Sequence, residues 1–588
     1  MTMRTSLVTL IRPPAVETVR LATTSITPPL GLAYIAASVL QSGREVRVLD
    51  AVALAPAKHR PYFKGYLIGM DNEDLVAEIP ANSAAIGVTA IFTHEWPLIV
   101  RLIECIRNRF PCTPIIVGGE HITSMPGFCA RTCAADYFVC GEGEETIVEL
   151  LETLELSRLE RAAKLETIAG LAYKEGNELR VNPRRKRNTK LDDIAWPAWD
   201  RFDLKTYHDH GFIGGMYSEK LTVPILATRG CPYQCTYCSS PNMWSPLWLP
   251  RDPIQVVDEI ESYVKNWGAG NFPFQDLTAI INKEWIITFA SEIVRRNLSI
   301  SWQLPSGTRS EVIDDEVAEW LKLSGMKTMA YAPEAGSERT RKLIHKRVRP
   351  DRMLASVESA NRSGLSLTAF FVIGFPHDSH RDMVDGLNFI AELAKRGMND
   401  IAVGYYMALP GTQLFHKLYD LGEIRFDREY FSHILDSQSF VPRRSFTPKI
   451  SRFGLVFWKF SLFSWFYAHR IFYSCKRQPA RNILFLVFSV LHVWGRGSHH
   501  SRLQTVAKNF VAHVLNVWKL RKHPKWNHHA GNHSHFDNWD EQYRIALLTQ
   551  RATGAAYDEQ GKSFNDLHQN YYAGLRKGHR LSWQMRLS

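Results

Sequence analysis

The sequence contains no run of roughly twenty uninterrupted apolar residues, the length a membrane-spanning helix requires. Its two richest apolar stretches fall short in different ways. FGLVFWKFSLFSWFYAHRIFYS, beginning at Phe453, is interrupted by Lys459, His469 and Arg470, and NILFLVFSVLHVW ends at Trp494 after about thirteen residues. A secretory leader is not expected either. The apolar run from Leu7 to Ile11 meets Arg12 and two prolines at once and reads as a first buried strand. Cysteine is scarce and irregularly spaced, nine in 588 residues, which argues against a secreted disulfide framework and for a reducing, cytoplasmic setting.

What is present is ordinary in bulk. A hydrophobic content of 45% and a charged content of 22% suit a globular protein, and the length calls for two or three domains rather than one core. The net charge of +12 fits an anionic partner such as a lipid surface, a nucleic acid or a phosphorylated substrate. A nucleic-acid partner is not the expectation here. The basic run NPRRKRN reads as a solvated loop, and the histidine-rich RKHPKWNHHAGNHSHF, which lacks regular ligand spacing, reads as a surface loop.

Residues 1–150 repeat one grammar of strand and helix. SLVTLI, EVRVLD, AAIGVTAI and TPIIVGG read as strands; PPLGLAYIAASVLQSG, closed by Gly43, and EWPLIVRLIECIRNRF read as amphipathic helices. GEGEETIVELLETL is a glycine turn opening a further helix. This alternation predicts a doubly wound, Rossmann-like α/β domain with a parallel sheet. Ligands bind such sheets at the carboxyl ends of the strands, where Gly118, Gly119, Gly141 and Gly143 lie. Those glycines equally suit tight turns with no ligand. Residues 151–220 read as a linker crossing a surface, ending in a proline- and tryptophan-rich stretch.

Cysteine is then concentrated where it is otherwise rare. LATRGCPYQCTYCSSPNMW places Cys231, Cys235 and Cys238 on the loop after the strand TVPILATRG, with no fourth cysteine nearby. Cubane iron–sulfur clusters are held by cysteine thiolates, and three sulfurs on a tight loop leave one iron open. A zinc site completed by His208 or His210, or three unconnected buried thiols, remain as alternatives. Downstream, to about residue 415, helices and strands alternate as a (β/α) barrel requires, over 221–440. Residues 441–588 read as a mainly helical, aromatic and basic region. Its two apolar stretches read as interfacial helices on a membrane, with a buried helical pair as the alternative.

PPLGLAYIAASVLQSGREVRVLD, IIVGGEHIT and GEGEET resemble the cobalamin-binding domain that precedes the catalytic barrel in one branch of radical SAM enzymes. The resemblance implies cobalamin contacts at Gly118, Gly119, Glu120, His121, Gly141 and Glu142. Asp50 is followed by Ala51 and Val52, so the histidine that ligates cobalt in mutases is absent, as in many radical SAM relatives. Cobalamin bound without that ligand, or a domain that kept the fold and lost the cofactor, both fit.

The C-x3-C-x2-C loop with Tyr237 before its last cysteine resembles the radical SAM signature. It implies a [4Fe-4S] cluster on Cys231, Cys235 and Cys238 whose open iron chelates S-adenosylmethionine (SAM). Phe274 and Asp276 resemble the second-strand motif near the methionyl part of SAM, although Leu277 stands where a second aspartate is usual. Arg309 resembles a polar contact, Glu334 in APEAGSE a SAM contact, Gly374 in FFVIGFPHD the segment beside adenine, and YYMALPGTQL the sixth-strand close. The implied activity is radical methylation of an unactivated carbon in a hydrophobic, lipid- or pigment-like substrate, with a flavodoxin or ferredoxin as reductant and attachment to the inner face of the cytoplasmic membrane. An oxidative cyclase or other C–H functionalising enzyme is the alternative within the family. A catalytically silent iron–sulfur protein on a membrane is the alternative outside it. No general acid or base is evident in the sequence.

Overall fold

The structure, a computed structural model, describes residues 6–17, 26–63, 65–176, 178–216, 218–439, 441–477 and 536–553. Its first strands are β1 (Leu7–Arg12), β2 (Ala15–Glu17), β3 (Glu45–Asp50), β4 (His59–Tyr62), β5 (Gly65–Ile68), β6 (Ser83–Thr89), β7 (Ile115–Gly118), β8 (Tyr137–Val139), β9 (Leu171–Glu175) and β10 (Glu178–Val181). Seven of them form one sheet in the order β10-β9-β8-β7-β6-β1-β3. From β3 to β8 the pairing is parallel, with helices Leu30–Gln41 and Trp96–Arg109 among the crossovers, as the alternating pattern predicts. β2, β5 and β4 make a small antiparallel sheet.

The expected linker is not one. β9 pairs antiparallel with β8, and β10 returns along β9 after a turn at Gly176, whose φ is +60°. The first sheet therefore runs on to residue 181. The turn signal lies in the sequence, since Gly176-Asn177 sits between strand-like runs. Beyond it, Trp199, Phe202, Leu204 and Tyr207 are buried, and the Ala198 amide donates to the Ala33 carbonyl at 3.1 Å. Large aromatics contribute too much apolar area to be left on a surface crossing, so this segment packs between the two sheets' cores.

The basic run is only partly solvated: Arg184 and Lys186 are exposed, whereas Arg185 is half-buried and Arg187 buried. Arg185 bonds to Thr146 (2.8 Å) and Glu149 (2.6 Å), Arg187 to Glu142 (2.6 Å), and Arg184 to the Met243 carbonyl (2.7 Å).

The second sheet is built from β11 (Leu221–Thr222), β14 (Ala269–Pro273), β15 (Ser301–Thr308), β16 (Met326–Glu334), β17 (Ser366–Ile373) and β18 (Asp400–Tyr405), all parallel and in chain order. Helices connect successive strands of this sheet, several with legible ends. Asp252 caps Pro253–Trp267 through the amides of Ile254 and Gln255, and Gly268 closes it at φ 65°. Ser379 and Asp382 form a capping box on His380–Arg396, which Gly397 ends at φ 106°.

The strand expected over TVPILATRG is broken. Two residues pair as β11, Ile225 makes an isolated bridge to Phe274, and β12 (Thr228–Arg229) pairs instead with β13 (Leu249–Pro250). The β12–β13 pair closes the base of the loop that carries the three cysteines.

In the C-terminal region, helix Arg452–Arg477 packs along helix His380–Arg396. Leu455, Leu462 and Phe466 are buried, while Phe453, Phe457, Phe460 and Phe472 are exposed. The helix is thus structural on one face and open on the other. Two cations expected to flank a membrane face point inward. Lys459 is buried, with its ammonium 3.2 Å from the Ser439 carbonyl and 4.5 Å from the centroid of Tyr405, and Arg470 donates to the Met398 carbonyl at 2.5 Å. The second apolar run, Asn482 to Trp494, and the histidine-rich stretch up to residue 535 lie outside the described residues. Helix Trp539–Thr553 lies on helix Pro126–Thr132, with Tyr543 stacked on Phe426 at 4.4 Å. No described helix is long and apolar enough to cross a membrane.

Candidate functional site

The cysteine loop leaves β12 through Gly230, whose φ is +90°. Backbone contacts hold it on both sides: the Thr236 amide donates to the Ile344 carbonyl (3.1 Å), and the Leu414 amide to the Thr236 carbonyl (3.0 Å). Cys231, Cys235 and Cys238 are free thiols, each partly exposed. Burial raises the Cys235 thiol and pushes Cys238 up to about 12, and the neighbouring cysteines add to both shifts, which places the three sulfurs within electrostatic reach of one another. Among the described residues no group of three or more His, Cys, Asp or Glu side chains is closed around a metal-sized point. His208 lies 3.4 Å from Thr222, and His210 bonds to the Thr206 carbonyl at 3.0 Å, so neither completes a zinc site with the loop. Three neighbouring free thiols without a fourth protein donor fit the chemistry of a cluster with one open iron.

Polar groups gather around this loop. The Tyr237 ring meets Phe375 edge-on at 5.4 Å, and burial, with the nearby Glu334 carboxylate, pushes its hydroxyl's pKa up. Glu334 ends β16 at φ 65° and accepts from Lys346 at 3.2 Å. Burial draws the Lys346 ammonium down, but Glu334 and Cys235 outweigh it and leave it above its ordinary value. Arg309 lies over the Tyr233 ring at 4.2 Å and donates to Glu311 (2.5 Å) and the Arg347 carbonyl (2.6 Å). Tyr237, Glu334 and Arg309 are therefore brought to the cysteine loop. Lys346 joins them without having been singled out in sequence, because nothing in its spacing from Glu334 marks it.

Three other expected contacts sit differently. Phe274 is a core side chain between Phe289 (5.5 Å) and Trp302 (5.2 Å) and offers no surface to a ligand. Asp276 is buried and accepts from the Ala227 amide (3.2 Å), the Thr228 amide (2.5 Å) and the Thr228 hydroxyl (2.6 Å). It pins the base of the cysteine loop, and burial pushes its pKa up to about 6 against those bonds. Gly374 has φ 88° and gives its amide to Asp378 at 2.9 Å; a Cβ there would stand 3.0 Å from Leu455, so the C-terminal helix covers that face. Leu277, in place of the second aspartate, is 41% exposed and carries no polar function.

The first domain meets the cysteine loop at its strand ends. Gly119, at φ 127°, passes so close to Ala90 that a Cβ would lie 2.4 Å from the carbonyl oxygen. Gly141, at φ 81°, faces open space. His121 is buried against Trp96 at 5.0 Å; its Nδ1 is 3.1 Å from the Thr93 hydroxyl, while its Nε2 has no partner. Burial pushes its pKa down to about 3, so the imidazole is neutral. An open glycine edge and a buried unpaired ring nitrogen fit a ligand seated at these strand ends. Val52 is fully buried, its amide bonded to Asp50 at 3.1 Å, and the Asp50 carboxylate takes the Tyr207 hydroxyl at 2.7 Å. No imidazole stands at this position to ligate a metal from below.

Glu120 and Glu142 correct the expectation. Glu120 accepts from the Ser239 hydroxyl, next to Cys238, and Glu142 accepts from Arg187 (2.6 Å) and Arg229 (2.9 Å). Both carboxylates are committed to the join between the domains.

Fold and loop together define an α/β protein in which a partial barrel presents three free cysteines beside a glycine-edged, doubly wound domain. Residues 17–151 match the B12 binding domain family, and residues 225–390 match the radical SAM superfamily. An uncharacterized methyltransferase of Pyrococcus horikoshii is 27% identical over 70% of this chain and 83% of its own length. The anaerobic magnesium-protoporphyrin IX monomethyl ester cyclase of Rubrivivax gelatinosus is 25% identical over 59% of this chain and 60% of its own length. Among solved structures, the cobalamin-dependent S-adenosylmethionine radical enzyme OxsB, with aqua-cobalamin and S-adenosylmethionine bound, superposes with a TM-score of 0.58 at 14% identity, covering 93% of this chain and 84% of its own. That likeness establishes the fold. The chain therefore carries a B12-binding domain followed by a radical SAM domain, as its cobalamin-dependent radical SAM relatives do.

Proposed function

We propose that this protein is a cobalamin-dependent radical SAM methyltransferase acting on an unactivated carbon of a hydrophobic, lipid- or pigment-like substrate. The observation that carries the reading is the meeting of the two domains: the loop of Cys231, Cys235 and Cys238 is bonded directly to the strand-end loops of the B12-binding domain through Ser239 and Arg229. A methyl carrier and a radical source must act on one substrate, and this arrangement brings their two sites together. When bound, the cluster and SAM supply the radical chemistry and cobalamin the methyl group.

The chain's own residues bind, orient and shield. Cys231, Cys235 and Cys238 hold the cluster. Lys346, Glu334 and Arg309 offer charges of both signs to the amino-acid end of SAM. Tyr237 and Phe375 form an apolar wall that keeps water from the loop. Gly119, Gly141 and His121 line the cobalamin edge, with 1–150 as the core of that domain, 221–440 as the barrel and 441–588 as an appended region. Electrons come from a reductant protein such as a flavodoxin or ferredoxin. The open face of helix Arg452–Arg477 rests on the membrane that supplies the substrate.

Anaerobic incubation with reductant, methyl-deuterated SAM and a lipid or pigment extract tests this by mass spectrometry. A product heavier by a deuterated methyl group is expected, and its absence refutes methyl transfer. Similarity to several anaerobic magnesium-protoporphyrin IX monomethyl ester cyclases favours one second reading, oxidative cyclisation. In that case the product carries no deuterium and is lighter by the hydrogens lost.

A further inference from the structure

We propose that Arg229 is a positioning residue that couples occupancy of the B12-binding domain to the geometry of the cysteine loop. The proposal rests on the functional reading above and concerns a side chain to which sequence patterning gives no role.

Arg229 ends β12, with only Gly230 between it and Cys231. Its side chain is 5% exposed. One terminal nitrogen donates to Glu142 at 2.9 Å and the other to Glu144 at 2.7 Å. The rings of Tyr34 and Trp244 lie 4.9 and 5.8 Å from the guanidinium carbon. Glu142 gives its second oxygen to Arg187 at 2.6 Å, and Arg187 in turn donates to the Trp244 carbonyl. Two arginines and two carboxylates thus neutralise one another in a site shielded from water. Removing one member would strand a buried charge, so the group resists partial opening.

Glu142 lies on the loop after β8, which also contains Gly141 at the open strand edge, and Glu144 opens the helix Glu144–Leu154 that follows the loop. The Gly141 amide donates to the Thr123 hydroxyl at 2.9 Å, and that hydroxyl lies 3.5 Å from the sulfur of Met243 on the cysteine-loop side. A ligand seated at Gly141 therefore orders a loop whose Glu142, together with Glu144 at the start of the next helix, grips the residue leading into Cys231. Lysine keeps the charge of arginine but lacks the planar fork that spans two carboxylates.

The test uses the full chain with its cluster reconstituted and oxidised. SAM affinity is measured with and without hydroxocobalamin, and hydroxocobalamin affinity with and without SAM. The wild-type chain is expected to show a coupling factor of about 5-fold or more, equal in the two directions because linkage is reciprocal. Arg229→Lys should bring both factors to within about 2-fold of unity while iron content and far-ultraviolet circular dichroism stay at wild-type levels. Glu144→Gln, altered on the opposite side of the contact, should do the same and serves if Arg229→Lys loses iron. Wild-type coupling retained in Glu144→Gln with iron intact, or no coupling in the wild type, overturns the proposal alone. Failure of the wild-type chain to bind hydroxocobalamin at all overturns the functional reading as well.

Discussion

The Cβ that Gly230 lacks would lie 2.1 Å from the carbonyl oxygen of Leu247, on the opposite side of the cysteine loop. The chain enters the loop in the left-handed region at this residue, so both the torsion and the space demand glycine. Gly230→Ala costs about 1–2 kcal/mol for the torsion alone, and the backbone contact adds to it by forcing the loop's two limbs apart. Iron incorporation is expected to fall severalfold while circular dichroism of the sheets is unchanged. Alanine at Cys231, Cys235 or Cys238 should instead abolish cluster absorbance and SAM cleavage outright, and a cysteine variant that keeps both would remove the cluster assignment.

Cobalamin is expected to bind without a protein imidazole beneath the metal. Val52 is fully buried where such a histidine would have to stand. His121 is held as a neutral ring at a different strand end. Paramagnetic resonance of the bound cob(II)alamin form should show no nitrogen hyperfine splitting from a protein histidine, and His121→Gln should leave the spectrum's pattern in place.

Asp378 sets a pH dependence of stability. Burial pushes its pKa up to about 7, opposed by bonds from the Thr340 hydroxyl (2.9 Å) and the amides of Gly374 (2.9 Å) and Phe375 (3.0 Å). The folded state holds this proton more tightly than the unfolded state, whose carboxyl titrates near its ordinary value. The group's contribution is therefore fully present below the unfolded pKa, near pH 4, and is lost as pH rises through about 7. Asp378→Asn mimics the protonated form. Its melting temperature relative to wild type should climb between about pH 4 and 7 and then level off. A flat difference across that range would show that the carboxyl is ionised in the folded protein.

The open face of helix Arg452–Arg477 makes a membrane prediction. Phe453 and Phe457 are 62% and 63% exposed, whereas Lys459 and Arg470 are turned inward, so apolar insertion rather than these two cations must carry the attachment. Flotation with anionic liposomes should be only partly reduced by salt, and Phe453→Asp with Phe457→Asp should abolish it without unfolding the barrel. A wild-type chain that stays in the soluble fraction at low salt would make the helix wholly structural and take away the main support for a lipid-like substrate.

Much of this molecule is legible in its sequence, for identifiable reasons. Strand and helix periodicity, caps such as Asp252 and Gly268, and the spacing of Cys231, Cys235 and Cys238 are local properties, written in residues close together along the chain. They were enough to give the fold class of both domains and to locate the cysteine loop, though not the strands Leu171–Glu175 and Glu178–Val181 that extend the first sheet. What only the tertiary structure decided is where polar and aromatic side chains spend their interactions. Phe274 reads as a ligand contact by motif, yet packs between Phe289 and Trp302. Arg187 reads as a solvated charge and is buried against Glu142; Glu142 reads as a cofactor contact and is taken by two arginines. Lys459 reads as a membrane-facing cation and sits over Tyr405. A side chain's partners come from segments tens to hundreds of residues away, and burial and pairing are set by which surfaces meet. The loop's sulfurs could therefore be read in order along the chain, whereas the bonds that tie them to the B12-binding domain exist only once the two sheets have packed together.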